Sequence, residues 1–144
     1  MTRRHLAIRL WLVAASLLTA LLWSEAAMAS HFRYGTIFWR VPDPQNAPLT
    51  VEFTVQQAWR SSFLACVELD FGDGAGSNAC GGVQDIGTGT DALGNSYTVR
   101  QYVTTHTYAS AGTFTAFFQD CCRVSGLQNP PNSGSANFRV ESIV

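Results

Sequence analysis

Hydrophobic and polar residues alternate along most of the chain after residue 30, and this period of two predicts β-strands rather than helices. In the clearest segment, Val51, Phe53 and Val55 alternate with polar neighbours. Residues 72–95 are rich in glycine and predict a long loop. Strands are predicted at 32–41, 50–58, 66–71, 96–105, 112–122 and 137–144. The pattern therefore predicts an all-β fold, a β-sandwich of about six or seven antiparallel strands.

The N-terminal segment differs from the rest and has the three parts of a secretory signal peptide in order. Three arginines precede an apolar run at 10–23, and a small-residue cleavage pattern ends at Ala29. The alternative is a membrane anchor, but the 14 residues of the run are fewer than the roughly 20 that span a bilayer. We expect a cleaved signal peptide at 1–29 and one exported domain at 30–144.

Charge and composition restrict the partners of the exported domain. Residues 30–144 hold six arginines, no lysine and nine acidic residues, so their net charge is −3. This balance argues against nucleic acid and against an anionic membrane surface as partners. No further apolar stretch in the sequence is long enough to cross a bilayer. The mature form is therefore expected to be secreted, periplasmic or at the cell surface, without insertion into a membrane.

All four cysteines lie in the exported part, and an even number in a small exported domain predicts two disulfides. Of the three possible pairings, the one that joins the neighbours Cys121 and Cys122 would close a strained ring. The alternation of the flanking strands places Cys66 and Cys121 on outward faces, which favours Cys66–Cys121 together with Cys80–Cys122. A zinc or redox site is disfavoured because the sequence has no C-x-x-C pair.

Two motifs resemble those of PKD domains. Residues 67–74, VELDFGDG, are similar to the motif in which Phe-Gly-Asp-Gly closes a strand. Residues 106–114, HTYASAGTF, resemble the second motif of the same family, and both occur in the family's order. Leu69 replaces the usual tryptophan, and the stretch between the motifs is longer than usual. The resemblance covers roughly residues 31–144. It implies an immunoglobulin-like sandwich that serves as a non-catalytic extracellular module.

The motif residues also have structural explanations. Gly72 and Gly74 permit the positive φ angles of a tight turn, and Asp73 can accept hydrogen bonds from backbone amides of that turn. A buried Tyr108 with its hydroxyl bound to the backbone would fix a corner of the sandwich. A structural hydrogen bond is expected for His106 rather than catalysis. The residues predicted to act structurally are Phe71, Gly72, Asp73, Gly74, His106, Tyr108 and Gly112.

Metal binding and catalysis have weaker support in the sequence. Asp70, Asp73, Asp85 and Asp91 lie around the glycine-rich loop, and their oxygens are candidate ligands for calcium. Their spacing does not match the twelve-residue calcium loop, so calcium remains an alternative to no cofactor at all. The sequence contains no nucleophile elbow, zinc-protease motif or phosphate loop. We therefore do not expect an enzyme.

Exposed aromatic residues are the predicted means of binding. Trp59 and Tyr102 are the candidates for a ligand surface, whereas Trp39 is expected in the core. The leading hypothesis is an exported module that binds an extracellular protein or polysaccharide and acts in adhesion. The alternatives are a structural spacer or surface-layer component without a small ligand, and a hydrolase with an unrecognised site.

Overall fold

Six strands form the framework of the part of the chain that this computed structural model describes, namely residues 32–62, 65–77, 79–92, 94–124 and 133–144. The signal peptide predicted at 1–29 lies outside these residues. The strands are β1 (Phe32–Arg40), β2 (Thr50–Arg60), β3 (Gln84–Thr90), β4 (Ser96–Thr107), β5 (Thr115–Asp120) and β6 (Phe138–Ile143). Two short 3-10 turns lie at Ala79–Gly82 and Ser133–Ser135. Within the described ranges no helix is long and apolar enough to cross a membrane.

The strands form two antiparallel sheets. The larger sheet has the order β1-β2-β4-β3, and the smaller sheet pairs β5 with β6. In β2 the residues at alternate positions, Val51, Phe53 and Val55, are buried, as are Gln57 and Trp59. Side chains on a strand alternate between the two faces of the sheet, so these residues define its inner face.

Aromatic side chains from both sheets fill the space between them. Phe32 of β1 stacks on Phe138 of β6 with ring centroids 3.6 Å apart, and its ring meets Trp59 edge-on at 5.2 Å. Phe118 of β5 contacts Phe32 and Phe138 in the same edge-to-face manner. The larger apolar rings of the two inner faces thus form one core. The predicted all-β, immunoglobulin-like β-sandwich is confirmed.

The strand predicted at 66–71 is wrong. Asp70 makes only isolated bridges, to Phe117 and Gly76. Elsewhere in the segment, side chains replace a neighbouring strand. The Gln57 amide donates to the Val67 carbonyl (2.6 Å) and accepts from its N–H (2.9 Å), and the Ser77 hydroxyl accepts from the Leu69 N–H (3.0 Å). Backbone groups that already have side-chain hydrogen-bond partners do not need a paired neighbouring strand.

The predicted loop at 72–95 contains a strand that the glycine content concealed. Residues 84–90 pair antiparallel with β4, and the register shifts between Asp85 and Gly87. Glycine weakens a strand but is compatible with one at a bulge or where another group approaches closely. The structure thus adds β3 as the second edge of the larger sheet.

The predicted disulfide pairing is also wrong. Cys66 bonds to Cys80, and Cys121 bonds to Cys122, instead of the expected Cys66–Cys121 and Cys80–Cys122. The parity argument assumed a regular strand around Cys66. That segment is irregular, and the turn at Ala79–Gly82 returns Cys80 to within 5.8 Å of it, measured between Cα atoms. The neighbouring pair follows β5, with Cys122 at a φ of 83°.

Candidate functional site

The turn at residues 72–74, which we call the motif turn, is held to strand β4 by a contact between a histidine and an aspartate. Gly72 and Gly74 have φ angles of 86° and 92°, which reverse the chain and place Asp73 opposite β4. The Asp73 carboxylate accepts from the Ala75 N–H at 3.1 Å and lies 2.6 Å from His106 Nε2. The hydrogen bond with His106, followed by that with Ala75, lowers the pKa of Asp73.

The His106 ring packs against two other motif residues. Its ring stacks on Phe71 with centroids 4.2 Å apart and an interplanar angle of 6°, and Tyr108 packs against it edge-on at 4.6 Å. The Tyr108 hydroxyl donates to the Phe71 carbonyl at 2.9 Å, while burial raises the pKa of Tyr108 to about 12. Gly112 lies in the exposed turn that follows. These contacts hold the turn against the end of β4 and the residues that follow it.

The four candidate calcium ligands do not converge. Asp70 accepts from the Gly72 N–H at 2.7 Å, and Asp73 is engaged with His106. Asp85 pairs with Arg100 at 2.9 Å, and Asp91 pairs with Arg33 at 2.9 Å. Over the described ranges, no group of three or more His, Cys, Asp or Glu side chains is placed to hold a metal ion.

The two aromatic residues predicted to form a ligand surface are buried, so that prediction is wrong. Trp59 is 1% exposed and donates through Nε1 to the Gln57 side chain, and Tyr102 is 3% exposed. The Tyr102 hydroxyl donates to the Val67 carbonyl at 3.1 Å, and burial raises its pKa to about 12. Both residues lie on the inner face, since Tyr102 pairs with Val55 of β2. Trp39, expected in the core, is 43% exposed.

Three exposed large hydrophobic residues, Tyr34, Phe38 and Val103, lie instead on the opposite side of the larger sheet. The register arranges the residues of this side in three rows across β1, β2 and β4, and Ala58 among them is buried. The rows are Phe38–Thr54–Val103, Thr36–Gln56–Gln101 and Tyr34–Ala58–Val99. We call these nine residues the outer face. None of them carries a charge.

Apolar rings and amides share the outer face. Phe38, Val103 and Tyr34 are three of its large side chains, and they are 56%, 53% and 43% exposed. In the central row, the Gln56 amide donates to the Gln101 side chain at 2.9 Å. The Tyr34 ring packs edge-on against Tyr97 of β4, with centroids 6.2 Å apart. The result is a surface that combines stacking area with hydrogen-bonding amides.

Charged residues are confined to the two ends of the outer face. At one end Arg40 pairs with Glu52 at 2.6 Å, and the register places Thr105 beside them. At the other end Arg60 donates to the Asn95 side chain at 3.2 Å. The charges therefore flank the three rows without entering them.

A second feature, a cavity of about 490 Å³, opens where Tyr34 reaches the edge of the larger sheet. Arg33, Arg123 and Arg139 line it together with Asp91, and Tyr34 belongs both to this lining and to the outer face. We call it the arginine cavity. Arg33 lies where the register of β1 shifts, between Phe32 and Tyr34. This shift sets its side chain apart from the regular alternation.

Sequence reasoning missed both features, although one signal was available. The alternation that identified the inner residues of β2 also places Thr54 and Gln56 on the opposite side. The sequence alone does not give the register between the strands, which places Phe38 and Val103 on either side of Thr54. The arginine cavity depends on a bulge and on segments that are distant along the chain, since Arg33 and Asp91 are 58 residues apart.

The comparisons with known proteins point to one family. Residues 33–144 match the family described as "Integrin beta-like protein A-E, N-terminal". Integrin beta-like protein C of Dictyostelium discoideum is 34% identical over 119 residues, which cover 70% of this chain. The chain spans only 6% of the length of that relative. No solved structure matches.

The family that matches differs from the PKD family that the two motifs resemble, so the PKD resemblance stays a prediction. The match begins at the second residue of β1 and includes all the strands that form the outer face. A match to 33–144 extends over more than three quarters of the chain. The chain belongs to the family of N-terminal regions of integrin beta-like proteins A–E.

Proposed function

We propose that this protein is an extracellular, non-catalytic module of the adhesion type that binds a polysaccharide through its outer face. The observation that carries the proposal is the run of three uncharged rows with exposed Tyr34, Phe38 and Val103. An uncharged face on which several large apolar side chains are exposed together is a candidate interaction surface. The name of the Dictyostelium relative, an integrin beta-like protein, supports a role in adhesion.

The chemistry of the outer face favours a sugar over a protein partner. Sugars offer flat C–H faces, which stack on aromatic rings, and hydroxyls, which both donate and accept hydrogen bonds. Gln56 and Gln101 carry amides that do the same. Protein interfaces typically include arginine anchors among their aromatic residues, and the three rows contain none.

The contacts of the motif turn support a structural role for His106 rather than a catalytic one. His106 would be the natural general base, but its Nε2 is engaged with Asp73 and its ring is stacked on Phe71. Neither His106 nor Asp73 lines the arginine cavity or the cavities of about 210 and 570 Å³ elsewhere on the molecule. A base needs access to the proton that it removes.

The disulfides support an extracellular location. A disulfide joins Cys66 and Cys80 across an irregular segment. Disulfides are typical of proteins from oxidising compartments. The signal peptide predicted at 1–29 agrees with this location, and the integrin beta-like family does so as well. Secretion, a periplasmic location or attachment to the cell surface all fit the proposal.

The proposal is tested by co-sedimentation of the exported protein, expressed from the full-length sequence in an exporting host and purified with its disulfides oxidised. The panel contains cellulose, chitin, and agarose beads carrying polygalacturonate. The Phe38→Ser/Val103→Ser variant should lose at least about tenfold in retention on a polysaccharide that binds the wild type, because it removes two stacking side chains from one row. Ile143→Ser is the matched control, since Ile143 is 68% exposed on β6.

Retention of the double variant equal to that of the wild type would contradict the proposal, as would no retention on any polysaccharide. A wild-type dimer that the double variant dissociates would assign the outer face to a second copy and also contradict it. The same assay with calcium and with a chelator should give equal retention, because each candidate carboxylate is engaged separately within the protein.

A further inference from the structure

Three glutamines form one row across the larger sheet. Gln56 and Gln101 lie in the central row of the outer face, and the register of β3 places Gln84 directly opposite Gln101. Residues that pair directly point to the same side of a sheet, so Gln84 extends the central row onto β3. The next pair along, Asp85 and Arg100, points to the other side, where the two side chains form an ion pair at 2.9 Å. We call Gln56, Gln84 and Gln101 the glutamine row.

The amides of the glutamine row have unused hydrogen-bonding groups that are open to solvent. The Gln56 Nε2 group donates to Gln101 Oε1 at 2.9 Å. Within the described part of the chain, this bond leaves the Gln56 oxygen and the Gln101 amino group without a partner. Among the described side chains of the central row, only the Thr36 hydroxyl is both buried and unpartnered, so the free atoms of Gln56 and Gln101 are accessible. Gln84 is exposed on the edge strand β3.

The glutamine row lies between two rows that carry apolar side chains. Phe38 and Val103 are exposed in the row on one side, and Tyr34 and Val99 belong to the row on the other side. A ligand group that fits this pattern has an amide for the glutamines and an apolar carbon for the neighbouring rows. The acetamido group of an N-acetylated amino sugar has both, because it joins one N–H, one carbonyl and one methyl group.

The absence of charge on the outer face restricts the polymer further. The nine residues of the three rows carry no charge, and Gln84 adds none. A polymer with carboxylates or free amino groups would bring charges to this face without an oppositely charged partner there. Acetamido groups are uncharged. Neighbouring strands lie about 4.8 Å apart, so the four positions from Thr36 to Gln84 span about 14 Å, which suits a run of sugars rather than a single one.

We propose that the glutamine row recognises the acetamido groups of a neutral polysaccharide of N-acetylated amino sugars that crosses the strands of the larger sheet. The inference rests on the proposed function, since it names the class of polysaccharide that the outer face binds. Gln101 donates through Nε2 to an acetamido carbonyl, and Gln56 accepts through Oε1 from an acetamido N–H. The acetamido methyl groups contact Val99 and Val103, and Gln84 extends recognition to a further sugar.

The first test uses the wild-type protein and needs no variant. Chitotriose and cellotriose have the same ring and linkage, and they differ only in the acetamido group that replaces one hydroxyl on each sugar. The side-chain amide resonances of Gln56 and Gln101 are followed by NMR during titration with each trisaccharide. Chitotriose should shift the Gln101 resonances in a saturable manner, with a Kd at least about tenfold lower than that of cellotriose. Equal Kd values, or Gln101 resonances that chitotriose does not move, would overturn the inference.

The second test compares the retention of variants on chitin. Gln101→Met keeps the length of the side chain and removes its amide, so retention should fall about tenfold. Gln84→Met should reduce retention as well, and Gln84 is exposed on an edge strand, where its amide has no partner that the fold needs. Gln45→Met is the matched control, because Gln45 is exposed in the turn between β1 and β2. Near-ultraviolet circular dichroism checks the fold of each variant, and retention of Gln101→Met equal to that of the control would contradict the inference.

The results separate this inference from the proposed function. If the wild type binds cellulose as tightly as chitin and Phe38→Ser/Val103→Ser loses both, the outer face binds a polysaccharide and the inference is wrong. If the wild type binds no polysaccharide, both proposals are wrong. Tighter binding of polygalacturonate than of chitin would assign the outer face to an acidic polymer and would likewise overturn the inference.

Discussion

At the scale of single residues, Trp39 and Trp59 occupy each other's expected environments. The sequence suggested that β2 ends at residue 58, which would leave Trp59 in a polar segment at the surface. The strand continues to Arg60, so the alternation that begins at Val51 carries Trp59 inward. Trp39 lies near the end of the edge strand β1, where its Nε1 donates to the Ile143 carbonyl at 2.9 Å.

Burial of Trp59 predicts the effect of truncating it. Trp59→Ala should destabilise the protein by about 3–5 kcal/mol, because it leaves a cavity beside Phe32 and Phe138. The control Phe38→Ala should change the free energy of unfolding by no more than about 0.5 kcal/mol, since that ring lies on the surface. Urea unfolding measures both. Equal effects of the two substitutions would contradict the assignment of inner and outer faces.

At the scale of elements, the alternation of residues predicted β2 and β4, missed the glycine-rich β3, and failed at 66–71, where side chains take the place of a neighbouring strand. β2 and β4 were found because each has one buried face. Residues 66–71 also alternate, but Gln57 and Ser77 bind their backbone in place of a strand. A pattern of hydrophobic residues indicates which side chains are buried. It does not indicate whether a backbone amide bonds to a neighbouring strand or to a side chain.

The motif turn predicts a dependence of stability on pH. The pKa of Asp73 in the folded protein is lowered by the hydrogen bond with His106, whereas in the unfolded chain it returns to about 4. The ionised form is therefore favoured by folding, and this stabilisation is present above about pH 4 and lost as the pH falls through the folded pKa. The Asp73→Asn variant lacks the ionised form.

The difference in melting temperature between wild type and Asp73→Asn should therefore narrow between about pH 5 and pH 2. Thermal unfolding followed by circular dichroism measures it. Asp120→Asn removes one carboxylate at the end of β5, away from the turn, and controls for the change in net charge. A difference for Asp73→Asn that stays constant over this range would contradict the contact with His106.

At the scale of the whole molecule, averages over the sequence conceal the candidate site. A net charge of −3 for residues 30–144 argued against anionic partners such as nucleic acid. The fold gathers Arg33, Arg123 and Arg139 around one cavity despite that balance. The fold class followed from local alternation, whereas the site follows from pairing between distant strands, for which a single sequence offers no direct signal.

Binding at the outer face is tested most directly by a map of the backbone amides that respond when the isotopically labelled chain is titrated separately with cellotriose, chitotriose and trigalacturonate, the soluble fragments of the three polysaccharides tested above. The trisaccharide that binds should cause saturable NMR shifts at Tyr34, Thr36, Gln56 and Gln101, which lie on the outer face. β5, whose pairing is with β6 in the other sheet, should stay unchanged. Shifts confined to β5 and β6, or no shifts with any of the three trisaccharides at high concentration, would contradict binding at the outer face.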